Sequence, residues 1–167
     1  ESDMSIYERA CLERLYEHSK RETFNVLYIH SKGITKEKYP AVQDWIDMMV
    51  YFLIERHEAT RKLLDKFDTC GTNLIKVGAN FLKRSATCDD VKKSYHYSGN
   101  FWWAKSTYLR TLDPKIGPKY LDPEFRIGSG NTKKMVSVWN SNANHYFKMY
   151  PRTLYADKPF KSIILQT

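Results

Sequence analysis

The sequence predicts a single α/β domain on a mostly parallel sheet, and three observations carry that expectation. Short, continuous apolar runs alternate with longer segments of three-four apolar spacing along the chain. Hydrophobic residues make up 42% and aromatics 14% of 167 residues, enough to bury one sizeable core, so residues 1–167 are read as one domain. No internal repeat, low-complexity stretch or linker interrupts them.

Residues 4–20 place Met4, Tyr7, Cys11 and Leu15 at helical spacing, with Leu12 and Tyr16 beside them. Ser5 followed by Glu8 reads as a capping box, so an amphipathic helix packed on the sheet is expected. Phe24 to Ile29 is a continuous run of β-formers that stops at His30-Ser31-Lys32-Gly33, the pattern of a buried parallel strand opening into a loop. After Pro40, a good first-turn residue, Val42, Trp45, Ile46, Met49, Val50 and Leu53 predict a long helix reaching about Lys66. Phe67 to Leu74 predicts a short strand broken by Gly71, and the weak, charged pattern from Ile75 to Lys93 predicts a surface excursion.

Tyr95 to Lys105 is dense in aromatics and interrupted by Ser98-Gly99-Asn100, as in a central strand where a ligand nears the backbone. A helix over 106–112, turns at Asp113-Pro114 and Gly117-Pro118, the segment Tyr120 to Phe125 and the loop Gly128-Ser129-Gly130-Asn131 come next. Met135, Val138, Trp139 and Tyr146 predict a last helix over 132–150, with an irregular tail after Pro151.

A formal charge of +8, from 27 basic against 19 acidic side chains, favours an anionic partner. Zinc-finger spacing, a basic helix with heptads and the aromatic motif of RNA-recognition sheets are all missing, which argues against direct nucleic-acid binding; a membrane surface and a phosphorylated small molecule are the other anionic partners that the charge suits. Cys11, Cys70 and Cys88 fit neither a disulfide framework nor a zinc motif and predict a reducing compartment. With no apolar run near the ~20 residues of a membrane span and no signal peptide, a cytoplasmic protein is expected. The chain opens Glu1-Ser2-Asp3 and enters a helical pattern almost at once, so it is expected to begin inside a larger fold.

Ligands of open α/β sheets sit beyond the carboxyl ends of the strands, which directs attention to His30, Ser31, Lys32 and Gly33. An imidazole, a hydroxyl and an ammonium beside a glycine suit a diphosphate; the plain alternative is a solvated lysine and a histidine closing the strand. Around Ser98, Gly99 and Asn100, the neighbouring Trp102 and Trp103 point to opposite sheet faces, so one can enter the core while the other offers a ring to a sugar. Asp122 and Glu124 flank Pro123 and offer carboxylates for general base work or for steadying positive charge; they are equally suited to capping a helix. His145 suits a metal or a phosphate, or simple packing beside Tyr146 and Phe147. No nucleophile elbow, dinucleotide fingerprint or zinc-protease histidine pair occurs.

Val26 to Gly33 (VLYIHSKG), Asp44-Trp45 with Tyr51-Phe52-Leu53, Asp68-x-Cys70-Gly71-x-Asn73, His96 to Leu112 (HYSGNFWWAKSTYLRTL) and Tyr120 to Phe125 (YLDPEF) together resemble a family of GT-A-like glycosyltransferases. Within it they look like the domains that chlorella viruses use in glycosylating their capsid. The resemblance spans about residues 4–150 and rests chiefly on SGNFWWAK and YIHSKG. It implies a three-layer sandwich with a mostly parallel sheet of about six strands flanked by helices. It implies transfer of a hexose, of glucose or rhamnose type, from a UDP-sugar to a glycan or glycoprotein acceptor, with a divalent cation such as Mn2+. Catalysis would fall to Asp122 and Glu124, donor binding to His30, Ser31, Lys32, Gly33, Ser98, Gly99 and Asn100, and sugar stacking to Trp102 and Trp103. The family's Asp-x-Asp is replaced by His30-Ser31-Lys32; either His30 and His145 hold the cation, or Lys32 offsets the diphosphate charge. An opening nucleotide-binding strand and further domains of a longer polypeptide are also implied. The alternatives are a glycan-binding module of the same fold without turnover and a basic nucleic-acid-binding domain.

Overall fold

A computed structural model of the protein describes residues 8–31, 39–76, 95–130 and 134–166. Helix α1 spans Arg9–Ser19 and buries Leu12 and Tyr16, the residues beside the expected stripe, while Cys11 of that stripe is exposed and Met4 and Tyr7 lie outside the described residues. Strand β1 (Asn25–Tyr28) follows. Helix α2 (Pro40–Val50) starts at its proline and runs through a π-helical turn, Tyr51–Glu55, into α3 (His57–Lys62) and the 3-10 turn Leu63–Asp65. The long helix expected from Pro40 to about Lys66 is therefore present, divided where Tyr51, Phe52 and Leu53 all turn inward.

Next come β2 (Thr69–Thr72), β3 (Leu74–Lys76), β4 (Tyr95–Tyr97), β5 (Trp102–Lys105), the short helices α4 (Ser106–Leu109) and α5 (Asp122–Arg126), β6 (Lys134–Trp139), a 3-10 turn at Arg152–Leu154, and β7 (Ile163–Gln166). The main sheet has the order β1-β5-β2-β6-β7, and β3 with β4 makes a separate hairpin. None of the described helices is long and apolar enough to cross a membrane.

The mostly parallel sheet of about six strands is overturned. Among the described strands only β2 and β6 pair in parallel; β1 with β5, β5 with β2 and β6 with β7 are antiparallel. Apolar runs report that strands are buried, not which way they run. Strands β1, β2 and β6 do share one direction, as alternating strands and helices suggest, but β5 is inserted antiparallel between β1 and β2. β1 is also an edge strand rather than a fully buried one.

Four further expectations differ from the structure. The last helix, expected over 132–150, is instead strand β6 up to Trp139, followed by turns: Met135 through Trp139 are all buried, and a strand covered on both faces shows no period of two. Tyr95 to Lys105 forms not one strand but two, in different sheets, separated by the Ser98–Asn100 turn. The tail contributes β7. The break expected at Gly71 falls one step later, where the β2–β6 register shifts between Gly71 and Thr72 and Asn73 adopts φ 50°. The 75–93 excursion, apart from the two residues in β3, and Ser5 of the expected capping box lie outside the described residues.

Both faces of the sheet are covered. Trp45, Met48, Met49, Phe52 and Leu53 pack with Cys70, Val136 and Val138 on one face. Leu12 of α1, Leu109, Leu112 and Ile127 pack with Trp102, Ala104 and Met135 on the other. The hairpin is bolted to the sheet by Tyr97. Its hydroxyl donates to the Val136 carbonyl at 3.1 Å and meets Thr69 Oγ1 at 2.8 Å, and its ring lies where a Cβ on Gly71 would come within 2.5 Å.

Candidate functional site at one rim of the sheet

Because β1, β2 and β6 run the same way, their carboxyl ends open onto one rim of the sheet. That geometry gathers the residues after β1 (His30, Ser31), after β2 (Asn73), before β5 (Ser98, Gly99, Asn100) and after β6 (Asn140 to His145). His30 Nε2 lies 3.1 Å from the Gly99 carbonyl oxygen, to which it donates, and its ring meets Phe101 edge-on at 5.5 Å. Segments singled out separately in the sequence are thus in direct contact. Ser31 beside them is exposed, while Lys32 and Gly33 lie outside the described residues.

The Ser98–Asn100 turn is tight because two successive residues take left-handed backbone, Gly99 at φ 95° and Asn100 at φ 57°. At Gly99 a Cβ would meet Met49 Sδ at 2.5 Å and Trp45 Cζ2 at 3.1 Å, so glycine lets the turn press against α2. Ser98 N–H donates to the Asn73 carbonyl at 3.0 Å, tying the turn to the end of β2.

Sequence reasoning missed the hub of this arrangement. Glu8, read as the far half of a capping box, accepts hydrogen bonds from the Tyr28 hydroxyl and from Asn100 Nδ2, both at 2.6 Å, and lies 3.5 Å from His30 Nδ1. Asn100 in turn accepts the Trp102 indole N–H at 2.9 Å. Burial, with the Glu8 and Glu124 charges nearby, raises the Tyr28 phenol well above its ordinary pKa, so this hydroxyl stays a donor. Nothing in the local sequence marks Glu8, since its partners lie on β1 and on the turn.

The two tryptophans do point to opposite faces, and each is packed. Trp102 is 2% exposed and stacks on Tyr28 at 4.8 Å; Trp103 is half-buried and donates its indole N–H to the Leu53 carbonyl at 2.8 Å. Asp122 and Glu124 stand in the first turn of α5, which His96 and Phe125 hold against β4 by an edge contact at 4.6 Å. Asp122 is buried and accepts the Lys119 N–H at 2.8 Å, closing the turn that begins the helix.

His145 belongs to a second cluster on the same rim. Its ring stacks on Trp45 at 5.2 Å, Ser141 Oγ lies 2.7 Å and Asn73 Nδ2 3.2 Å from Nε2, and Nδ1 is buried without a partner. Burial lowers its pKa to about 4, with Asp44 opposing, so the imidazole is neutral near pH 7. His30 and His145 flank Gly99 and Trp45, yet each directs Nε2 to protein atoms. Among the described residues no group of three His, Cys, Asp or Glu converges as a cation would need.

Searches against protein-family models, curated proteins and solved structures find no match for this chain.

Proposed function

We propose that this domain transfers a hexose from a UDP-sugar to a glycan acceptor at the rim where His30 meets the Ser98–Asn100 turn. One observation carries the reading: the two sequence blocks that most suggest this chemistry, 69 residues apart, touch through His30 and Gly99. The mostly parallel sheet, once a second support, is no longer one.

The chemistry assigns roles to the residues. As the bond between anomeric carbon and diphosphate breaks, positive charge grows on the sugar and negative charge on the leaving group, while the acceptor hydroxyl loses a proton as its oxygen bonds to the carbon. Asp122 and Glu124 are the carboxylates assigned to that proton and to the sugar's positive charge, one oxygen of Asp122 also closing the turn that begins α5. Ser31 and Ser98 offer hydroxyls to the sugar, and Glu8 fixes the orientation of Asn100. The chain's charge of +8 suits the anionic donor. Cys11 and Cys70 are free thiols, in keeping with a reducing, cytoplasmic setting.

A glycan-binding module without turnover is the second reading, favoured because Asp122 and Glu8 both commit carboxylate oxygens to hydrogen bonds inside the protein. The test is release of UDP from UDP-glucose, UDP-galactose and UDP-rhamnose with glycan acceptors. Turnover is expected to fall about tenfold or more in Glu124→Gln with Tm unchanged. Glycan binding without UDP release selects the module. If no nucleotide sugar is turned over and none at millimolar concentration shifts Tm, the donor assignment is lost.

A further inference from the structure

On the opposite side of β5 from α2, Arg126 presents a problem that the chain itself does not solve. Its side chain is 7% exposed, and both terminal nitrogens, Nη1 and Nη2, are buried with no hydrogen-bond partner among the described residues. The guanidinium carbon stands 5.3 Å from the centre of the Tyr16 ring. A ring covers the face of a guanidinium, while its N–H bonds project in the plane, so Tyr16 eases the charge without satisfying the donors. Glu13 and Asp113 act on it through space only.

Arg126 also lines a cavity whose walls are otherwise almost wholly apolar: Leu12 and Leu15 of α1, Leu109, Leu112, Ile127 and Trp102. The cavity measures about 10 Å³, room for one water-sized particle. A buried cation with unsatisfied donors beside an apolar cavity is costly to leave alone, and a neutral water would meet donors without offsetting the charge.

We propose that this cavity is a binding site for a small monovalent anion of the halide class, chloride being the common one, held by Arg126 Nη1 and Nη2. The class follows from size and sign. An organic carboxylate or phosphate exceeds the space, and the leucine walls provide no donors for its remaining oxygens. The bound anion fastens α1 to α5 across the Tyr16–Arg126 contact, so its effect is on stability, independent of whether the rim transfers sugar.

The experiment is thermal unfolding at constant ionic strength as sodium gluconate, too large for the cavity, is replaced by sodium chloride or bromide. Tm is expected to climb by several degrees and then saturate as a single site fills. Arg126→Met, which keeps much of the side-chain volume, is expected to lose the saturable rise. Bromide-soaked crystals of the wild-type chain are expected to show an anomalous peak within hydrogen-bond distance of Nη1 and Nη2, a readout that holds even if the variant fails to fold. Water alone at that position, or equal melting in gluconate and bromide, overturns the proposal.

Discussion

Glu8 at the rim and Arg126 under α1 are both charged, both withdrawn from solvent, and opposite in how the fold treats them. Glu8 receives two hydrogen bonds at 2.6 Å and a histidine at 3.5 Å. Arg126 has two buried nitrogens with none. A charge surrounded by partners acts as a clamp on its neighbours, whereas one placed beside empty space calls for something from outside the chain. His145 stands between them, with one nitrogen held by Ser141 and Asn73 and the other buried alone.

Acid breaks the intermediate case first. The folded pKa of His145, about 4, lies below its ordinary 6.5, so over that interval the unfolded chain binds the extra proton. Stability from this residue is complete above pH ~6.5, declines as pH falls and is gone near pH ~4, a loss of at most about 3 kcal/mol. Denaturant midpoints across that range should flatten in His145→Gln; an unchanged slope would mean the ring titrates as in water.

Removing the clamp comes next in size. Glu8→Ala leaves the Tyr28 hydroxyl and Asn100 Nδ2 without their acceptor and is expected to cost about 2 kcal/mol in urea unfolding. Glu8→Gln, still an acceptor, should cost less. Equal loss in both variants would show that charge, not hydrogen bonding, organises the rim.

The smallest effect should have the opposite sign. In gluconate, Arg126→Met is expected to match or exceed wild-type stability by up to about 1 kcal/mol, because a lone buried cation gives way to an apolar side chain. A clear loss in gluconate would place Arg126 with Glu8, as a group the fold already satisfies.

Much of the helical structure was legible because α1 and α2 are buried on one side, and one-sided burial stamps a three-four period on the sequence. The strands were less so. β6, covered on both faces, imitates a helical stripe through Met135, Val138 and Trp139, and the antiparallel insertion of β5 leaves no trace in composition. Of the candidate site, His30 and the Ser98–Asn100 turn were readable as polar interruptions of apolar runs. Glu8 and Ser141 were not, since each gains meaning only from partners supplied by other elements.

Tyr97 carries a consequence for how the rim meets a ligand. Its ring fills the space over Gly71 and its hydroxyl is held by β2 and β6, one residue before the Ser98–Asn100 turn begins. The turn is therefore anchored in the middle of the sheet rather than carried on a swinging loop. A ligand docking there, as the proposed function has it for a sugar, would find its contacts preorganised and would lose little ordering entropy on binding.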